Sequence, residues 1–211
     1  MLPLDTLLAF LAVSIAITCT PGPDNLMVLG QSLARGRLAG FGVAVGCALG
    51  CFTHTLWAAI GISAAIAASP QLFFGLKLAG AAYLAWLGVQ ALRNAAAVRP
   101  TAAAGGSEPW LRYLRRGFIA NAINPKVALF FLAFLPQFSQ PELGSVALQT
   151  VQLGLAFALQ TVLVFGAIAF AAGAIGRALA RRPAAGAWLD RLAGLIFIGL
   201  AIRLATDGRG Q

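Results

Sequence analysis

Apolar residues fall into six blocks, at about 4–30, 38–68, 71–93, 114–139, 145–176 and 186–205. A transmembrane helix needs about 20 predominantly apolar residues, so each block is long enough to span a bilayer. The pattern predicts an all-α integral membrane protein with six transmembrane helices. Charge sits mostly between the blocks. The first connection holds Arg35 and Arg37, the third Arg93, Arg99, Arg112, Arg115 and Arg116, and the fifth Arg177, Arg181, Arg182 and Arg191. The second and fourth hold no Lys or Arg. Odd connections are therefore expected on the cytoplasmic side, with both termini outside, although Arg203 and Arg209 run against that trend. Trp110, Tyr113 and Trp188 are expected at the cytoplasmic headgroup level, where amphipathic rings gather.

Residues 94–109, rich in Ala, Pro, Gly and Ser, read as the one real linker. The whole of 1–211 is expected to form a single transmembrane domain. Repeat one covers about 4–93, a cytoplasmic linker about 94–113, and repeat two about 114–205. Three spans is an odd number, so two such halves would have inverted topology, as in many carriers.

Composition agrees and removes alternatives. Of 211 residues, 60% are apolar and 10% charged, with mean hydropathy +0.85. A soluble domain carries about 25% charged residues. The net charge of +9 and pI of about 11.1 would suggest nucleic acid in a soluble chain. Here the positive-inside rule accounts for them, and no nucleic-acid partner is expected. Asp5 and the lack of Lys or Arg before Arg35 leave no positive start for a signal peptide, so the first block is expected to be a retained span.

Two blocks are interrupted. The first reads Thr18-Cys19-Thr20-Pro21-Gly22-Pro23-Asp24-Asn25, and the fourth Asn121-Ala122-Ile123-Asn124-Pro125-Lys126. Proline lacks the N–H a helix needs, and inside a bilayer freed backbone groups must find partners. The first and fourth helices are therefore expected to be broken, with Pro23 and Pro125 opening the restarted segments, where a missing N–H costs least. Aligning the two prolines sets Asp24 against Lys126. An intramembrane charge costs on the order of 3 kcal/mol or more. The pattern predicts that these two face one cavity and pair when it is empty. The plainer alternative has Asp24 capping a helix and Lys126 snorkelling to an interface.

Other features weigh less. His54 is mid-span and suits either a packed role or a proton relay. Gly42, Gly46 and Gly50 form a stripe that favours close approach of another helix. Gln160 and Thr161 either line a path or join helices. Cys19, Cys47 and Cys51 contain no CxxC and make no tetrahedral metal site alone, but they leave a membrane redox or metal-handling protein as the rival reading. An uncoupled channel is a further alternative. No nucleophile elbow or phosphate loop is present, so an enzyme is not expected.

The Thr20-Pro21-Gly22-Pro23-Asp24 break closely resembles the first-span signature of the LysE/RhtB family of amino-acid exporters. So does Gly117–Asn121 running through Asn124-Pro125-Lys126 to Phe130–Phe138, while Leu76–Leu84 with Gly88 resembles the family's third span and His54 falls where members often have His. The resemblance covers most of residues 10–140. It implies a multi-pass exporter of small amino acids or derivatives in the inner (cytoplasmic) membrane, with the proton as coupling ion and no other cofactor. By position, Pro21, Gly22, Pro23, Asp24, Asn124, Pro125 and Lys126 would form the central site. Asn25, His54 and Asn121 join them as candidates from the same breaks and the second span. The expected partners are a small amino-acid substrate and the lipid bilayer, with homo-oligomerisation left open. Alternating access with proton antiport is the expected mechanism.

Overall fold

The computed structural model describes residues 2–68, 70–93, 108–181 and 183–206. Most of the expected linker, residues 94–107, lies outside the described residues. Every regular element among the described residues is helical: α1 (Leu4–Cys19), α2 (Pro23–Arg35), α3 (Arg37–Ala68), α4 (Pro70–Arg93), α5 (Trp110–Ala122), α6 (Pro125–Leu129), α7 (Val146–Arg181) and α8 (Pro183–Thr206). A wide π-type turn over Phe130–Phe134 and 3-10 turns at Leu135–Phe138 and Pro141–Leu143 connect α6 to α7.

The boundaries have local causes. Pro23, Pro70, Pro125 and Pro183 each sit first in a helix, where the missing N–H has no partner to lose. α2 ends where Gly36 takes a φ of 89° and its N–H returns to Ser32 O, a left-handed turn that favours glycine. α5 begins at Trp110, four residues before the expected fourth span. In this added turn the Tyr113 ring is buried against α3, and its hydroxyl accepts from the Glu108 N–H at 3.0 Å. Trp110 and Trp188 are exposed.

Among the described residues, α3 and α7 supply spans long and apolar enough to cross a membrane, Arg37–Gly61 and Val146–Ala178. Two bent pairs qualify if each counts as one span: α1 with α2, bent by 60°, and α5 with Pro125–Phe138, bent by 50°. Outward faces are apolar, with Leu4, Trp57, Leu159, Leu163 and Leu195 all well exposed. Such continuous exposed apolar surface belongs against lipid.

α3 packs against α5 on one side and α7 on the other, and α4 against α8. The α3 stripe is what lets α5 approach. A Cβ on Gly46 would stand 2.1 Å from Leu114 O, and one on Gly117 of α5 would stand 2.1 Å from Val43 O. α4 and α8 cross at a similar reciprocal pair: a Cβ on Gly88 would be 2.8 Å from Gly194 O, and one on Gly194 2.7 Å from Gly88 O.

Two apolar clusters flank the middle of the molecule. One gathers Phe10, Phe130, Phe131, Phe134, Phe138 and Phe157, with ring centroids as close as 5.0 Å between Phe131 and Phe157. The π-type turn places the adjacent Phe130 and Phe131 both fully inside. The other gathers Val28, Val43, Ala44, Cys47, Tyr113 and Phe165. The broken helices contribute to both, α1 and α6 to the first and α2 and α5 to the second.

Backbone-to-backbone approach leaves no flexible atom to give way, and overpacking usually costs about 1–3 kcal/mol. Gly46→Leu is therefore expected to lower the thermal unfolding midpoint of the purified protein by several degrees. Gly75→Ala, where nothing lies within 4 Å, is expected to leave it unchanged or slightly raised.

Candidate functional site

The first break follows from hydrogen-bond bookkeeping. In an uninterrupted helix the carbonyl of residue i accepts from the N–H of residue i+4. Pro21 removes the donor for Ile17 O, and Pro23 removes the donor for Cys19 O. Gly22 is extended and caps α2 with no side chain, so Asp24 and Asn25 enter the first turn of α2. A carboxylate there lies at the favourable end of the helix dipole. At the second break Asn124 Oδ1 accepts from the Lys126 N–H at 2.9 Å, and Pro125 opens α6.

Each break supplies what the other lacks. Lys126 Nζ donates to Ile17 O at 3.2 Å and Thr20 O at 3.1 Å, so the second half satisfies carbonyls freed in the first. Asn121 Nδ2 donates to Asp24 Oδ2 at 2.8 Å. Asn25 Nδ2 reaches back across its own break to Thr18 O at 2.8 Å. His54 Nε2 lies 2.8 Å from Asn121 O. A carbonyl only accepts, so this ring nitrogen carries the hydrogen. A chain of contacts thus runs from Asp24 through Asn121 to His54.

Asp24, Asn25, His54, Asn121, Asn124 and Lys126 are all buried, each at most 8% exposed. The prolines behave differently. Pro23 and Pro125 face outward and shape the site through the backbone, while Pro21 and Gly22 are half-buried. The space above Gly22 belongs to Lys126, since a Cβ there would stand 3.0 Å from Nζ.

The expected Asp24–Lys126 ion pair does not form. The two residues line one cavity, yet no carboxylate oxygen lies within 4 Å of Nζ, and the ion pairs among the described residues all involve Glu108. The carbonyls of the α1 break capture the ammonium first. Sequence charge alone carries no information about that competition.

The cavity between the breaks is lined by Thr18, Asp24, Asn121, Lys126 and Thr161 on its polar side. Ile17, Val127, Phe130, Phe157 and Phe165 form an apolar wall. Its volume of about 10 Å³ has room for about one water molecule. Two groups on its lining, Asp24 Oδ1 and Asn121 Oδ1, are buried without a hydrogen-bond partner, as are Asn25 Oδ1, Gln160 Oε1 and Asn124 Nδ2 beyond the lining. Four are acceptors and one is a donor. Burying a polar group unsatisfied costs roughly 1–3 kcal/mol each, more for a charged one, so the arrangement is poised for an incoming donor.

Thr161 and Gln160 do both things their sequence setting left open. Thr161 lines the cavity, and Gln160 Nε2 joins α7 to α1 through Thr18 Oγ1 at 2.9 Å. Thr18 stood out in the sequence only as a flank of the break. Phe157 and Phe165 gave no signal at all, because a phenylalanine in an apolar span looks the same whether it faces lipid or a cavity. The cysteines take no part. Cys47 and Cys51 are buried free thiols, Cys51 Sγ lying 3.3 Å from Cys47 O, and no group of three or more potential metal ligands occurs among the described residues.

A second charged cluster marks the far ends of α2 and α5. Glu108 binds Arg35 and Arg116, the latter at 3.0 Å, with Arg112 at 3.8 Å and the Arg35 guanidinium 5.9 Å from the Tyr113 ring centroid. Asp24 and Arg35 are separated by about 16 Å at 1.5 Å rise per residue. The antiparallel pair α2 and α5 is thus fastened at the cavity by Asp24–Asn121 and at the other end by Arg35–Glu108.

Comparison with known proteins shows the family. An uncharacterized membrane protein of Pseudomonas aeruginosa is 34% identical over 190 residues, 88% of each chain. A protein named leucine efflux protein from Enterobacter sp. (strain 638) is 32% identical over 194 residues, 90% of each chain. An uncharacterized membrane protein of Vibrio cholerae is 31% identical over 200 residues, 94% of this chain and 96% of the relative. No solved structure matches. The LysE type translocator family matches residues 15–208, both broken helices included. This chain is therefore a membrane transporter, not an enzyme, and belongs to the LysE type translocator family.

Proposed function

We propose that the chain exports neutral, apolar α-amino acids across the cytoplasmic membrane by alternating access with proton antiport. Six spans, built as two inverted three-helix repeats, carry out the cycle. The observation that carries this reading is the single cavity that takes Asp24 from one break, Lys126 from the other, and three phenylalanines from α7 and the π-type turn. A zwitterionic amino acid needs a group of each sign, and an apolar side chain needs the wall. The relatives named leucine efflux protein support the same substrate class. The reciprocal crossings of α4 with α8 at Gly88 and Gly194 and the proline-opened half-helices in corresponding spans support the inverted repeat. The Arg cluster around Glu108 supports a cytoplasmic location for the far ends of α2 and α5.

In the cycle, Asp24 Oδ1 takes the substrate ammonium and the unused N–H of Lys126 meets the carboxylate. A cavity with room for one water supports a carrier with an occluded state over an open channel. Substrate entry from the cytoplasm then requires α2 and α5 to part, breaking Asp24–Asn121. A proton arriving at Asp24 from outside displaces the ammonium, releases the amino acid and resets the carrier.

Proteoliposome counterflow tests the substrate class. Leucine, isoleucine and phenylalanine are expected to exchange at least tenfold faster than lysine, because a second ammonium against the phenylalanine wall costs several kcal/mol. Equal rates for lysine would overturn this assignment.

Removal of a buried charge-assisted contact costs about 1.5–3 kcal/mol, or about 10- to 160-fold. Asp24→Asn is accordingly expected to cut proton-driven export by that factor, and a protonophore to abolish concentrative export in the wild type. Full proton-coupled export by Asp24→Asn would contradict the mechanism.

A further inference from the structure

Lys126 holds an unusual position for a buried cation. Its two partners, Ile17 O and Thr20 O, are neutral backbone carbonyls at the broken end of α1, and no carboxylate lies within 4 Å. Pro21 denies Ile17 O its helical donor, so that carbonyl has no competing backbone partner there. Gly22 clears the space, since the Cβ of any larger residue would stand 3.0 Å from Nζ and 3.9 Å from Asn25 Oδ1. That Asn25 oxygen is itself buried and unpartnered. The result is a pair of backbone carbonyl acceptors around one positive charge, with an unpartnered amide oxygen on the far side of Gly22.

Carbonyls exposed by an unwound helix are what broken-helix carriers offer to a sodium ion, just as carbonyl rings replace the hydration shell of potassium in a selectivity filter. We propose that Lys126 occupies a monovalent-cation seat formed by the α1 break, serving as a cation tethered to the second half of the protein. With α6 against α1 the seat is filled from within, so the native carrier needs no inorganic cation to close it. The same tether joins the two halves: the ammonium leaves the seat only when α6 moves away from α1. Truncating the side chain empties the seat and leaves it open to sodium or potassium.

The inference uses the carrier reading only for its transport arm. Ion binding by purified protein is measured without transport, so failure of one is distinguishable from failure of the other. Lys126→Ala would be extracted and purified in parallel in sodium chloride, potassium chloride and choline chloride at equal ionic strength, choline being too large for the seat. Its unfolding midpoint is expected to rise saturably with sodium or potassium and not with choline. At ten times the dissociation constant, the ion shifts the folding equilibrium about 11-fold. Wild type and Lys126→Met, which keeps a stem in the seat, are expected to respond alike to all three salts.

Recovery of folded Lys126→Ala in an alkali salt but not in choline supports the proposal. Identical midpoints in all three salts, or no folded protein in any of them, overturn it. Wild-type counterflow is expected to run at an unchanged rate when choline replaces sodium and potassium. A requirement for either ion would also overturn the proposal.

Discussion

The structure depends on one constraint, the loss of backbone donors at Pro21 and Pro23 inside an apolar medium. In water the freed carbonyls would be solvated at little cost. Within a bilayer each needs a partner from the protein, and here Ile17 O finds Lys126 from the other half of the chain, which also takes Thr20 O at the helix end. Asn25 takes Thr18 O. The buried lysine therefore follows from the break in α1, where Pro21 leaves Ile17 O without its helical donor. Asp24 is subject to the same logic with opposite sign, held on one oxygen by Asn121 and left open on the other.

Around this constraint the helices are held together in two ways. Glycines at 46 and 117 hold α3 and α5 at backbone contact, and α7 closes the other face of α3. This frame fixes where α5 ends, and so where Asn121 and His54 meet. The half-helix α2 is tied to α5 at two ends by contacts made of polar atoms alone, Asp24–Asn121 and Arg35–Glu108. Polar contacts can be exchanged for a ligand's or for water's at modest net cost. Packed glycine crossings have no such substitute. α2 is also packed on α3, where a Cβ on Gly40 would stand 2.9 Å from Val28 O.

Much of this was legible in the sequence. Long apolar blocks and proline positions report directly on helices and breaks, because both act through the local backbone. The glycine stripe at 42, 46 and 50 likewise announced a close helix contact, and α5 fills it. The pairing of Asp24 with Lys126 was not legible. Opposite charges at corresponding positions suggested an ion pair, whereas the ammonium prefers carbonyls whose deficit arises from backbone geometry. The burial of Tyr113 was not legible either, because sequence shows an aromatic beside arginines but not the glycine-lined face it packs against. Phe157 and Phe165 were silent, since facing a cavity and facing lipid leave the same residue type. Among the described residues no cluster matches the rival metal reading.

The central claim is that Asp24 and Lys126 read the two charged ends of one zwitterion. Competition binding to the purified transporter, with leucine against 4-methylpentanoate, its analogue lacking the amino group, measures this most directly. Wild type should prefer leucine by at least tenfold, and Asp24→Asn should lose most of that preference while retaining affinity for the analogue. A preference undiminished in Asp24→Asn would show that the ammonium is read elsewhere, and the account would fail.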